Sequence, residues 1–358
     1  MIRRGWAPSG RGASVIAWRE RVALTHPHTT ALPRRRLRLR VSLAVLGTLV
    51  LAGCLARTTD SVAPVDVQSP GKWVVLAPMP SARQEVAVAE LNGRIFVIGG
   101  FGSDSEPVGT VEVYDPASNT WETLTPLPAP THHAAAGVID GRLFVVGGYG
   151  GGRASGTPLR TVYEYDEARS SWATRAPLKE ARGALAVVTL GDRLHAIGGS
   201  GDSVTAAHEV YEPLPDRWTD GPPMPTARDH LAAVAFQGKL WAIGGRTSFM
   251  GTQYPNVEIY DPAANSWSTG TPIPMGRGGL AAATLDDRVY VFGGEALMRI
   301  FSANDMYEVA GNRWIGKEPM RTPRHGIGAA VVGNRIYVPG GATQPGYAST
   351  AVNEAYEP

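Results

Sequence analysis

Residues 93–121 read "GRIFVIGGFGSDSEPVGTVEVYDPASNTW". "RIFVI" and "VEVYD" are short, β-branched and aromatic runs, the composition of strands. The Asn92-Gly93 pair just before them suits a two-residue hairpin turn. "PASN" is a second tight turn, leading into "TWETL" (120–124). With "EVAVAEL" (85–91) in front, the stretch reads as four strands in a meander.

The same unit recurs along the chain. Tryptophans stand at 73, 121, 172, 218, 267 and 314, and a Gly-Gly pair begins 26 residues after each, at 99, 147, 198, 244, 293 and 340. Repeat lengths are 48, 51, 46, 49 and 47 by either marker. A tyrosine lies seven residues before each later tryptophan: Tyr114, Tyr165, Tyr211, Tyr260 and Tyr307. All length variation therefore falls between Gly-Gly and tyrosine. Four-stranded units of about 50 residues predict an all-β, six-bladed β-propeller over 72–358. The pattern resembles the Kelch repeat. Tyr356 ends the sixth unit without a following tryptophan, while Trp73 has no unit before it. The N-terminal strand is expected to join the C-terminal blade, removing two open sheet edges.

Ten residues after five of the tryptophans come Arg83, Arg182, Arg228, Arg277 and Arg324, with Thr131 in the second unit. Two before tyrosine come Glu112, Glu209, Glu258, Asp305 and Glu354, with Tyr163 in the second unit. Both members are missing together, which predicts an Arg–carboxylate contact within each of the other blades. His195 shares a slot with Phe96, Phe144, Trp241, Tyr290 and Tyr337 and is expected to be a packed core residue.

Ahead of the repeats, "PRRRLRLR" (33–40) and "VSLAVLGTLVLAG" (41–53) form a basic stretch and an apolar run of 13, a secretory signal. Leu51-Ala52-Gly53-Cys54 resembles the bacterial lipoprotein lipobox. The resemblance implies cleavage before Cys54 and lipid on the chain's single cysteine. Residues 1–53 are then a leader, of which 1–33 suggest a misassigned start, and 54–71 a flexible tether. The expectation is an exported, membrane-anchored lipoprotein, periplasmic or on the cell surface. The leader holds ten arginines and one acid, leaving 24 basic and 31 acidic residues of the chain's 34 and 32 for the rest. That acidic remainder argues against nucleic-acid binding. A monomer is expected.

In such a meander the variable loops and the entry to the first strand share one face, where function is expected. One set of residues follows Gly-Gly: Phe101, Tyr149, Ser200, Arg246, Glu295 and Ala342. The other lies 11 and 12 residues after tryptophan and includes Gln84, Glu85, His132, His133, Asp229, His230 and His325. Such histidines and carboxylates could bind a metal, titrate near pH ~6.5 or hydrogen-bond a partner. Opposite blades are taken to be far apart and no HxH or HxxxH spacing within the repeats supports a metal, so polar recognition is expected, with no metal and no cofactor. The leading expectation is a binding scaffold for a protein or glycan.

The chain lacks G-x-S-x-G, a phosphate loop and a dinucleotide fingerprint. "GGYGGGRASG" (147–156) joins strand to strand, with no helix N-terminus to hold phosphate. Copper radical oxidases with Kelch repeats need a cysteine in the propeller, and Cys54 lies outside it. The chain also resembles the periplasmic sialate mutarotases in export, size and blade number. That resemblance implies Glu295 in "GGEALMR" as general acid/base and Arg299 as the partner of a substrate carboxylate.

Overall fold

A computed structural model describes residues 71–152 and 156–358. The leader, Cys54 and all of the tether but Gly71 lie outside the described residues. The described part is all strand and turn, in six four-stranded antiparallel sheets. The first sheet runs Ala87–Leu91, Arg94–Ile98, Val111–Asp115 and Thr120–Leu124, each strand paired to the next. The next four repeat this order. In the sixth, Ala330–Val332, Arg335–Pro339 and Asn353–Glu357 are followed by Lys72–Val75, where Trp73 stands opposite Tyr356. The first strands of neighbouring blades face one another around the axis.

Local chemistry explains each bend. Asn92 and Gly93 both have positive φ (53° and 76°), the two-residue turn that matches strand twist. The first strand begins at Ala87 rather than at 85, because Glu85 is left-handed (φ 53°) and cannot continue it. The Gly-Gly pairs follow the second strands and adopt positive φ in all six units. A Cβ on Gly99 would lie 2.4 Å from the Thr131 carbonyl of the next blade, so no other residue fits.

Three belts of hydrogen bonds tie the blades together. In the first, the second glycine of each pair donates its N–H to the carbonyl of the next blade's Arg (or Thr131), at 2.8–3.0 Å; Gly341 to Arg83 completes the circuit. In the second, each tryptophan indole donates to the carbonyl four residues beyond the previous tryptophan, at 2.7–3.0 Å, and Trp73 reaches Glu318. The third is at the axis. Glu85, His133, Ala184, His230, Gly279 and Gly326 all have φ between 50° and 65°. Each N–H donates to the carbonyl of its counterpart in the preceding blade at 2.9–3.0 Å, and Glu85 donates to Gly326.

The Arg–carboxylate contacts form in five blades: Arg83–Glu112, Arg182–Glu209, Arg228–Glu258, Arg277–Asp305 and Arg324–Glu354. These arginines are at most 1% exposed. They also donate to carbonyls beside Gly-Gly, as Arg83 does to Val97 and Gly99 and Arg324 to Val338 and Gly340. Burial thus makes each pair a core element, not a surface contact. In the second blade Glu164 instead takes Arg142 and Arg175. His195 is buried against His208, their Nδ1 and Nε2 2.8 Å apart.

Candidate functional site

The two sets of loop-face residues meet through the backbone. Bridges pair Gln84 with Phe101, His132 with Tyr149, Gly183 with Ser200, Asp229 with Arg246, Gly278 with Glu295, and His325 with Ala342. Each pairing carries its blade's variable loop back to the axis. The axial belt then turns the next residue, in three blades Glu85, His133 and His230, toward a shared cavity. Left-handed backbone is unfavourable for residues with a Cβ, by roughly 1–2 kcal/mol. Gly279 and Gly326 avoid that strain, whereas Glu85, His133 and His230 retain it at the point where their side chains converge.

The cavity has a volume of about 390 Å³ and lies off-centre, toward blades one, four, five and six. Gln84, Glu85, Phe101, His133, Asp229, His230, Arg246, Glu295 and His325 all line it. Phe249, Gly346 and Tyr347 complete it. These three come from the variable loops of blades four and six and were not expected. Aromatic residues inside irregular loops were the available signal, but no repeat offset marks them.

Charge is concentrated there. Arg246 Nη1 lies 2.7 Å from Glu295 Oε1, and its Nε lies 3.8 Å from Asp229 Oδ1. His230 Nδ1 sits 2.8 Å from Asp229 Oδ1. His133 Nε2 is 3.3 Å from Glu85 Oε2. His325 bridges two acids, with Nδ1 3.6 Å from Glu85 Oε1 and Nε2 3.5 Å from Glu295 Oε2. Its Nε2 also lies 2.9 Å from the Gln344 carbonyl. Three carboxyl groups therefore face one guanidinium and His325. Burial acts against the His325 cation, but Glu85 and Glu295 outweigh it and raise its pKa. Burial would likewise raise Glu85, yet the facing imidazoles hold it well below the usual carboxylate range. Burial pushes His133 down to about 3 and His132 to about 4.

Gln84 fixes the rim. Its amide donates to the Gly346 carbonyl at 2.7 Å and accepts from Ala348 N–H at 2.9 Å. Arg246 lies over the Phe249 ring at 5.6 Å.

Not every expected site residue faces the cavity. His132 is buried and stacked between Phe101 and Tyr149, with centroids 4.0 and 5.4 Å away. Its Nδ1 lies 2.6 Å from His133 Nδ1, so it supports His133 from behind. The Tyr149 hydroxyl donates to the Ser200 carbonyl at 2.8 Å. Arg299 pairs through its backbone with Ala296 in a small hairpin, Glu295–Ala296 with Arg299–Ile300. Its side chain is exposed and lies over Phe301. The guanidinium beside Glu295 is that of Arg246 and not Arg299, because the hairpin turns Arg299 to the outside.

The assumed distance between opposite blades, the ground for expecting no metal, also fails at the axis. Glu85, His133 and His230 come from blades one, two and four, yet one ligand atom of each lies within 4.8 Å of the others.

Comparison with known proteins agrees with this architecture. The Kelch motif model matches residues 82–128, 130–179 and 227–274. An F-box/kelch-repeat protein of Arabidopsis thaliana is 41% identical over 76 residues, 20% of this chain and 20% of that protein. Kelch-like protein 21 of Danio rerio is 36% identical over 75 residues, 20% of this chain and 12% of that protein. This chain thus spans a fifth or less of the length of these curated relatives. The solved structure of YjhT superposes with a TM-score of 0.68 at 17% identity, covering 79% of this chain and 97% of that one. At that identity the likeness is one of fold.

Proposed function

We propose that this six-bladed propeller of Kelch motifs is an exported, Cys54-anchored binding protein that captures a glycan through its axial cavity. One observation carries the reading: a cavity of about 390 Å³ that combines the aromatic side chains of Phe101, Phe249 and Tyr347 with Glu85, Asp229, Glu295 and Arg246. Small-ligand sites commonly occupy 300–1,000 Å³ and combine apolar walls with a few polar groups. A sugar ring offers C–H faces to aromatic side chains and hydroxyls to carboxylates, which act as strong acceptors. A protein partner would need a wider contact, about 800 Å² on each side. The concave, half-open cavity therefore favours a sugar over a flat protein epitope.

Saturation-transfer NMR with a panel of neutral and acidic monosaccharides and short oligosaccharides tests the assignment. Binding should weaken at least ~10-fold in Phe249→Ala and in Asp229→Asn, equivalent to about 1.4 kcal/mol. A panel that gives no transfer, or transfer unchanged in both variants, overturns the assignment. Acyl labelling of the chain in cells, lost in Cys54→Ser, tests the anchor.

A second reading, a sialate-like sugar mutarotase, has its own support. Glu295 is 2% exposed and lies against both Arg246 and His325, within reach of a ligand in the cavity. A carboxyl so placed can move a proton at a sugar's ring oxygen or anomeric hydroxyl. On this reading NMR shows faster anomer exchange of sialic acid with the wild type than with Glu295→Gln. Equal rates for the wild type and buffer sink it.

A further inference from the structure

We propose that Glu85, His133 and His230 form a binding site for a divalent transition-metal ion at the mouth of the propeller axis. Two imidazoles and one carboxylate are the donor set that zinc takes in three-ligand sites, with the fourth position left to water or a ligand. The three donor atoms already lie within 4.8 Å of one another. Around zinc, with bonds of about 2.0–2.2 Å, they would close to ~3.3 Å, a small adjustment for side-chain tips.

The surroundings suit this role. His230 Nδ1 is occupied by Asp229, which leaves Nε2 as its donor. This carboxylate–histidine arrangement orients the ring and raises ligand basicity in metal sites. His133 is held by an imidazole instead, its Nδ1 against His132 and its Nε2 toward Glu85. His132 is in turn fixed between two aromatic rings. His325, 1% exposed, supplies an independent observation. Its Nδ1 has no hydrogen-bond partner and faces the Glu85 carboxylate across 3.6 Å, too far for a bond. A buried nitrogen held only by an ion pair beyond hydrogen-bond length is incompletely satisfied, which is costly. A metal-bound water would give this nitrogen a hydrogen-bond partner.

All three ligands line the cavity, and they also line the narrower channel that continues along the axis, so an open coordination position would border both. The backbone is consistent with this use. Three of the four non-glycine residues in the axial belt are these ligands, with Ala184 the fourth. The sulfur-free N/O set favours zinc and its neighbours over the soft copper(I) ion.

The test is zinc titration of the chelator-treated full chain by calorimetry, with cobalt absorption as a second readout. One ion should bind per chain. Glu85→Gln, His133→Ala and His230→Ala should each weaken binding at least ~10-fold, and Asp229→Asn by about 10–100-fold. Cys54→Ser should leave it unchanged. No stoichiometric binding by the wild type overturns the site. So does affinity that survives in the ligand variants, or is lost in Cys54→Ser. If His133→Ala does not fold, Glu85→Gln, which keeps size and shape, carries the same decision. No sugar is present, so this outcome is independent of glycan capture.

Discussion

At the residue scale the buried arginines carry the largest stake. Arg228 is fully buried, paired with Glu258 at 2.6 Å, and donates to the Ala242 carbonyl. Removing one partner of such a pair leaves an uncompensated buried charge, at a cost of about 3–5 kcal/mol. Glu258→Ala should therefore lower stability by that amount in urea titration. Glu122→Ala should cost less than ~1 kcal/mol, because its ion pair with Arg94 is surface-exposed. Equal losses would show that burial is not what matters. Ala184 is the opposite case. It holds φ 52° with no polar role, so Ala184→Gly should relieve left-handed strain. Its melting temperature should hold or rise, whereas the same change at Ala242, inside a strand, should lower it.

At the element scale the blades are tied by aromatic residues as well as by backbone. Trp73 packs on Tyr356 and Phe292 and donates to Glu318, linking the outermost strand of blade six to blade five. Trp73→Ala should cost ~3–5 kcal/mol, as other buried aromatic deletions do. Trp73→Phe, which loses mainly the hydrogen bond, should cost about 0.5–1.5 kcal/mol. Denaturant midpoints of the two variants check the order. The variable loops follow different rules from the strands. Their ends are fixed by the bridges beside Gly-Gly, but their length and residues are free. That freedom is what places Phe249 and Tyr347 over the cavity.

At the scale of the whole molecule, acid is the expected weakness. His195 and His208 sit where blade three meets blade four, against Tyr260 and Trp267. Burial depresses their pKa values to about 3 and about 4, with Arg193 and Arg182 adding to the effect. Unfolded, both titrate near ~6.5. Between those values the unfolded chain binds more protons, so stability falls as pH drops from about 6.5 toward 3–4 and is fully present above neutrality. The equivalent slots elsewhere hold Phe96 and Val111. His195→Phe with His208→Val should therefore make the melting temperature fall less steeply between pH 6.5 and 4, with the buried His132 and His133 leaving a residual slope. A profile as steep as the wild type's would exclude this pair as the cause.

Much of this architecture is legible in one dimension. Six Gly-Gly pairs, each 26 residues after a tryptophan, report the blades, because a repeated fold must repeat its steric demands. The Arg–carboxylate pairs were also legible, through their joint absence from the second unit. Their burial was not, since the repeat pattern gives partners and not depth. At the site, the offsets from tryptophan and Gly-Gly found nine of the cavity's residues. They could not say that His132 and Tyr149 stand behind it, that Arg299 turns outward, or that Phe249 and Tyr347 close it. Nor could they show that Glu85, His133 and His230 meet. Strand alternation and turn chemistry are local, so the sequence determined the six blades and the face that carries the variable loops. Convergence of three blades on one point depends on how far the first strands approach the axis. Packing across the whole ring sets that distance, and only the tertiary structure decided it.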